Sequence, residues 1–242
     1  MKGDFLLGSR ESFLEPNIYA DKSSIVLDWL LSVGIHKKQF SLRDVVKGRQ
    51  ISIGLVQKVF KELVNRGILE TEGIRTGKNF LLKKPALLLN SWIDYYNVMK
   101  KCRVWNYSSG FKDKAEILEH LKASKLSQKV SFALHSAVEE YGCKNTNLDT
   151  LELYMLDPTS KWELETLLRL KPKERGYEVL LIEPYYKSLL ALAENGGENV
   201  KKSSILLTYL DLYHFPLRGL EQAEFMAQRL PELQNIYRRR KK

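Results

Sequence analysis

Eight side chains in the first third of the chain are of types that bind phosphate or read a base edge: Arg43, Arg49, Ser52, Gln57, Lys58, Lys61, Arg75 and Lys78. Guanidinium and ammonium groups make charge-assisted hydrogen bonds to phosphate oxygens. A glutamine can read a base edge, and a serine at a helix start offers its hydroxyl beside free backbone N–H groups. Lys58 and Lys61 stand out as phosphate or base-edge donors, while Arg43 and Arg49 flank a turn and suit backbone phosphate. A second constellation, Asp211 with Arg218 and Glu221, combines carboxylates with a guanidinium near the end of the chain. It suits an anion or nucleotide contact, or an Arg–carboxylate clamp that fixes a turn onto a helix, and the clamp is the favoured reading.

The patterns that catalysis needs do not appear. A nuclease of the PD-(D/E)xK kind places an acid two residues before a lysine, beside a metal; the chain contains no Asp-x-Lys or Glu-x-Lys. Gly8-Ser9 opens like a nucleotidyltransferase motif, but no acid pair in a strand follows it. Glu163 and Glu165 have the spacing of such a pair and fall in an expected helix. There is no Gly-x-x-x-x-Gly-Lys phosphate loop and no Gly-x-Ser-x-Gly elbow. His36, His120, His135 and His214 lack ligand spacing, and Cys102 and Cys143 form no Cys-x-x-Cys. The expectation is a protein that is not an enzyme, with no metal and no cofactor. A nucleic-acid-processing enzyme or a mobile-element replication factor, holding its substrate with the front helices, is the alternative.

The elements that position the first constellation can be read from periodicity and caps. Ile25, Val26, Trp29, Leu30 and Val33 give residues 21–33 helical spacing. Ser41 caps a short helix over 42–47, closed by Gly48. Ser52 caps a third helix over 53–65, ended at Arg66-Gly67, with Ile53, Val56, Phe60, Leu63 and Val64 as its apolar stripe and Gly54, Lys58, Lys61 and Asn65 opposite. A strand over 68–72, a basic Gly-rich turn and a strand over 79–84 follow. Helix, short helix, turn, longer helix and basic hairpin is the order of a winged helix-turn-helix, whose third helix enters a major groove while Arg75 and Lys78 on the wing reach phosphate.

Further along, Pro85 starts a helix over 85–96, with a strand over 103–107 and helices near 111–121 and 132–141. Strands are expected over 151–156, 178–182 and 204–212, with helices over 162–170, 184–193 and 220–230. The fold class is therefore α/β (α+β): a winged helix-turn-helix over 1–84, a connecting helical region over 85–130, an α/β domain with a mixed sheet over 131–236, and a basic tail over 237–242.

Charge follows the same division. The 242 residues carry a net +10, distributed as +6 up to Lys84, +4 up to Lys129, −5 up to Ile236 and +5 in the last six. A basic front and an acidic back place the polyanion contact in front, with double-stranded DNA as the partner. The tail 238–242 has no apolar residue to pack and is expected to be mobile. Apolar content of 44% suits a packed globule. No apolar run is long enough for a signal peptide or a membrane span, so a cytoplasmic protein without membrane contact is expected.

The expected winged helix, the segment Leu88-Leu89-Asn90-Ser91-Trp92-Ile93-Asp94-Tyr95-Tyr96, and the junction from Asp211-Leu212 through Arg218-Gly219 to Glu224 together resemble the AbiEi-type antitoxins. These are winged-helix transcriptional regulators of bacterial type IV toxin–antitoxin, or abortive-infection, systems. The resemblance runs from about the first helix to the last. It implies autoregulation of an operon through an operator, and a nucleotidyltransferase-type toxin antagonised without a stable complex.

Overall fold

The computed structural model describes residues 17–73, 78–192, 194–195 and 200–238. Arg75 and most of the basic turn that holds it, Gly8-Ser9, and tail residues 239–242 lie outside the described residues.

Three helices and a hairpin come first: α1 (Asp21–Ser32), α2 (Leu42–Val46), α3 (Ile53–Asn65), β1 (Leu69–Glu72) and β2 (Asn79–Leu82). Ser41 and Asp44 form a reciprocal cap on α2, and the Ser52 hydroxyl accepts from the Leu55 N–H on α3. Gly67, at φ 64°, turns the chain out of α3, and the Ile68 N–H closes on Leu63 O at 2.9 Å. Inside, Trp29, Phe40, Phe60 and Phe80 meet edge to face, with centroids 5.1, 5.8 and 4.7 Å apart in succession. Phe40 also exchanges backbone hydrogen bonds with Phe80, laying one residue of extended chain against β2.

Next come α4 (Pro85–Tyr95), α5 (Val98–Lys101), β3 (Arg103–Ser108), α6 (Lys114–Lys122), β4 (Val130–Phe132), α7 (Leu134–Glu140), β5 (Leu151–Met155), α8 (Lys161–Leu167), β6 (Lys171–Pro172), β7 (Val179–Glu183), α9 (Lys187–Leu190), β8 (Glu194–Asn195), β9 (Lys201–Lys202), α10 (Ile205–Tyr213), α11 (Gly219–Arg229) and α12 (Pro231–Arg238). The strands form one mixed sheet in the order β6-β3-β7-β5-β4-β9-β8. β5 and β7 run parallel, as do β4 and β9; the other neighbours are antiparallel. On β7, Leu180 and Ile182 join an interior shared with α4 and α10. Val179 and Leu181 on the opposite face join a second one built with α6 and α8. Covering both faces is what makes this strand apolar without alternation. The class is mixed α/β, and β3, from the expected connecting region, is an integral strand of the sheet.

Several expectations are corrected. The run 204–212, expected as a strand, is the helix α10. Every residue from Leu206 to Leu212 is buried, so no polar face marks its period; Ser204, which caps the Leu207 N–H, was the deciding signal. The helix expected over 132–141 yields its first residue to β4 and starts at Leu134, forced to φ 47°. The helix expected from 111 begins at Lys114 behind the Asp113 cap, and that expected over 184–193 shortens to α9. α12 carries helix to Arg238, into the expected tail, by burying Leu233 and Ile236. No helix among the described residues is long and apolar enough to cross a membrane.

The front helices are fastened to the sheet region. Trp92 Nε1 donates to Tyr186 Oη at 2.7 Å, and that phenol donates to the Tyr19 carbonyl at 3.1 Å. The Asp21 carboxylate accepts from Ser188 N at 2.8 Å and Ser188 Oγ at 2.7 Å. One apolar interior runs without a break from Ile18 to Ile236.

Candidate nucleic-acid interface

The caps and stripe of α3 dictate what its outer face presents. Val56, Val59, Phe60 and Leu63 are buried, which turns Gln57, Lys58 and Lys61 outward. A groove of about 890 Å³ runs between α2, this face and β2. Its walls include Arg43, Gln57, Lys61 and Lys78, so four of the eight expected side chains meet in one place. Lys58 is exposed one position off the groove. Arg43, Lys58, Lys61 and Lys78 are in no salt bridge among the described residues; Lys78 lies 5.6 Å from the Phe80 ring centre. Cations left unpaired beside a groove are available to an external anion.

The other expected residues behave differently. Ser52 is exposed, but its hydroxyl oxygen is committed to the Leu55 N–H at 3.2 Å. Arg49 turns inward: its guanidinium donates to Lys47 O at 3.1 Å and Val45 O at 3.4 Å, closing the end of α2, and lies 6.0 Å from the Trp29 ring centre. It therefore braces the turn between α2 and α3.

Other groove-wall residues were not anticipated. Ile53, assigned to the apolar stripe, is 46% exposed in the first turn of α3, and Leu42 and Asn65 also line the groove. An exposed apolar residue at a helix start suits a thymine methyl. Its place ahead of the first buried residue, Val56, was the available signal. Lys37 and Lys47 add exposed charge around Asp44, whose carboxyl is held below its usual range mainly by hydrogen bonds from Ser41.

The second constellation does not assemble. Arg218 and Glu221 form a two-pronged pair, Nε–Oε2 3.0 Å and Nη2–Oε1 2.7 Å, with both side chains about half exposed. Asp211 is fully buried in the last turn of α10, where Tyr96 Oη donates to its Oδ1 at 2.8 Å and Oδ2 receives no hydrogen bond. The expected strand placed Asp211 on the rim; the helix turns it into the interior. Burial pushes its carboxyl up to about 7. Between the two, Arg218 adopts φ 52°. A Cβ on Gly219 would stand 2.3 Å from Leu212 O, so only glycine allows α11 to close on α10.

Glu163 and Glu165 sit on α8 and are each paired with a lysine, Lys129 and Lys161 respectively. Among the described residues, no group of three His, Cys, Asp or Glu side chains is placed to hold a metal ion. No family model, curated protein or solved structure matches the chain.

Proposed function

We propose that the chain is a duplex-DNA-binding regulator whose first three helices and hairpin act as a winged helix-turn-helix. In this reading α3 lies in a major groove and β2 flanks it. The observation that carries it is the convergence of Arg43, Gln57, Lys61 and Lys78 on one groove, in a region of net positive charge. Ile53 and Gln57 would read bases; Arg43, Lys58, Lys61 and Lys78 would hold phosphates. Arg49 contributes by closing the end of α2 ahead of the turn into α3. The antitoxin role, repression of its own operon and antagonism of a nucleotidyltransferase-type toxin in the cytoplasm, is supported by the resemblance of 88–96 and 211–224 to the AbiEi-type antitoxins.

The test is fluorescence anisotropy of the full chain with duplex DNA from its own promoter across a salt series. Affinity should fall with a log–log slope of about −0.9 for each phosphate neutralised. Lys58→Ala and Lys61→Ala should each reduce that slope and leave the melting temperature unchanged, because neither side chain is buried. No binding at low salt, or an affinity indifferent to salt, overturns the proposal. Multiple turnover of a nucleic acid or nucleotide by the purified protein overturns its non-enzymatic part.

A further inference from the structure

A second cavity, of about 420 Å³, lies between α1, α9, α10 and α12, and shares no lining residue with the groove beside α3. Its size is that of a small-ligand site. Leu31, Leu189, Leu206 and Ile236 form much of the wall, and the charged residues on it are Asp28 and Glu232; among the described residues no lysine or arginine lines it, and Lys202 Nζ stands 4.1 Å from the ring centre of the lining Tyr141. We propose that this cavity binds a small amphipathic organic cation, its ammonium group against Asp28 and Glu232 and its hydrocarbon part against the leucines, and that the bound cation alters DNA affinity.

Two acids on a largely apolar wall, Asp28 half-buried and Glu232 exposed at the mouth, with no lining cation among the described residues, attract positive charge and repel carboxylates and phosphates. The Asp28 carboxylate accepts no hydrogen bond among the described residues, and the opposite charge within its electrostatic reach is Arg49. Burial pushes the carboxyl up to about 6 against the pull of that guanidinium. A half-buried carboxylate without a hydrogen bond leaves its oxygens open to a cation placed directly on them.

Asp28 links the cavity to the front of the molecule. Arg49 is the side chain that holds the carbonyls of Val45 and Lys47 at the end of α2, ahead of the turn into α3. An ammonium on Asp28 competes with Arg49 for the same carboxylate and relaxes that brace. This second half rests on the DNA-binding reading above, whereas occupation of the cavity does not.

Calorimetric titration of the full chain with 2-phenylethylamine tests occupation, with 3-phenylpropanoate as the control of similar shape and opposite charge. The amine should bind one to one and the acid should not. Asp28→Asn should weaken the amine by at least about tenfold. Leu192→Trp, at a half-exposed position on the rim, should block it without emptying the core. Equal binding of amine and acid, no binding of the amine at millimolar concentration, or unchanged binding in both variants overturns the site; so does a cavity already filled by another segment of the chain. For coupling, saturating amine should shift the DNA dissociation constant by about fivefold or more, a typical coupling between sites, and DNA should shift the amine by the same factor. An unmoved DNA affinity in a protein that binds both ligands overturns the coupling alone. Failure to bind DNA at all overturns the regulator reading and, with it, the coupling, while calorimetry still decides the cavity.

Discussion

Asp211→Asn separates burial from charge in the interior. The carboxyl has no exposed surface, takes one hydrogen bond from Tyr96, and faces Tyr154, Cys102 and Tyr186 but no cation among the described residues. Burial raises it from the ordinary 3.8 to about 7. An acid raised on folding contributes stability that is full below its unfolded value and is lost as pH rises through its folded value. With these two values, the wild type loses about 2.5 kcal/mol between about pH 5 and about pH 8 through this group alone. Asparagine keeps the shape and the acceptor for Tyr96 but cannot ionise. Urea unfolding of both proteins at the two pH values gives the difference in stability, in which the titration of every other shared group cancels to first order. That difference should move toward the variant by about 2.5 kcal/mol at the higher pH. A difference that stays constant with pH would refute the account of Asp211 as an acid held neutral by burial.

Gly219→Ala places a Cβ 2.3 Å from Leu212 O and 2.7 Å from Phe215 Cβ, and should lower stability by about 3 kcal/mol. Gly54→Ala meets nothing within 4 Å on α3 and should raise it by up to about 1 kcal/mol; thermal melts of the two variants check both signs. Glu152→Gln puts an amide N–H₂ among the donors Ser136 N, Ser136 Oγ, Thr150 Oγ1 and Tyr177 Oη, and should cost about 2–3 kcal/mol in urea unfolding. Arg218→Ala breaks an exposed pair and should leave the melting temperature unchanged.

The front of the molecule was legible because its signals are local. Ser41, Ser52 and Gly67 mark helix ends chemically, and the stripe from Val56 to Leu63 has one wet side and one dry side. Where both sides are dry, as in α10, periodicity loses its contrast and the apolar run reads equally as strand. The strands β6, β8 and β9 are two residues each and exist only because a neighbour is there to pair with them. Site residues divide in the same way. Lys58 and Lys61 follow from helix phase, whereas the inward turn of Arg49 depends on the α2 carbonyls and on Trp29 and Asp28 of another helix. Asp211 stood out by type, and its surroundings arise from Tyr96, distant in sequence.

The bonds from Trp92 to Tyr186, from Tyr186 to Tyr19 and from Ser188 to Asp21 also bear on portability. A segment that looks like a detachable module in chain order has its floor supplied from positions more than a hundred residues away. Grafted onto another protein, residues up to Lys84 would carry the Tyr19 and Asp21 acceptors without their donors, and apolar side chains without the wall they rest on. Substitutions on the front face of α3 leave the interior intact, because that face touches solvent, whereas substitutions at its back, at Val56, Val59, Phe60 and Leu63, disturb an interior continuous with that of the sheet region.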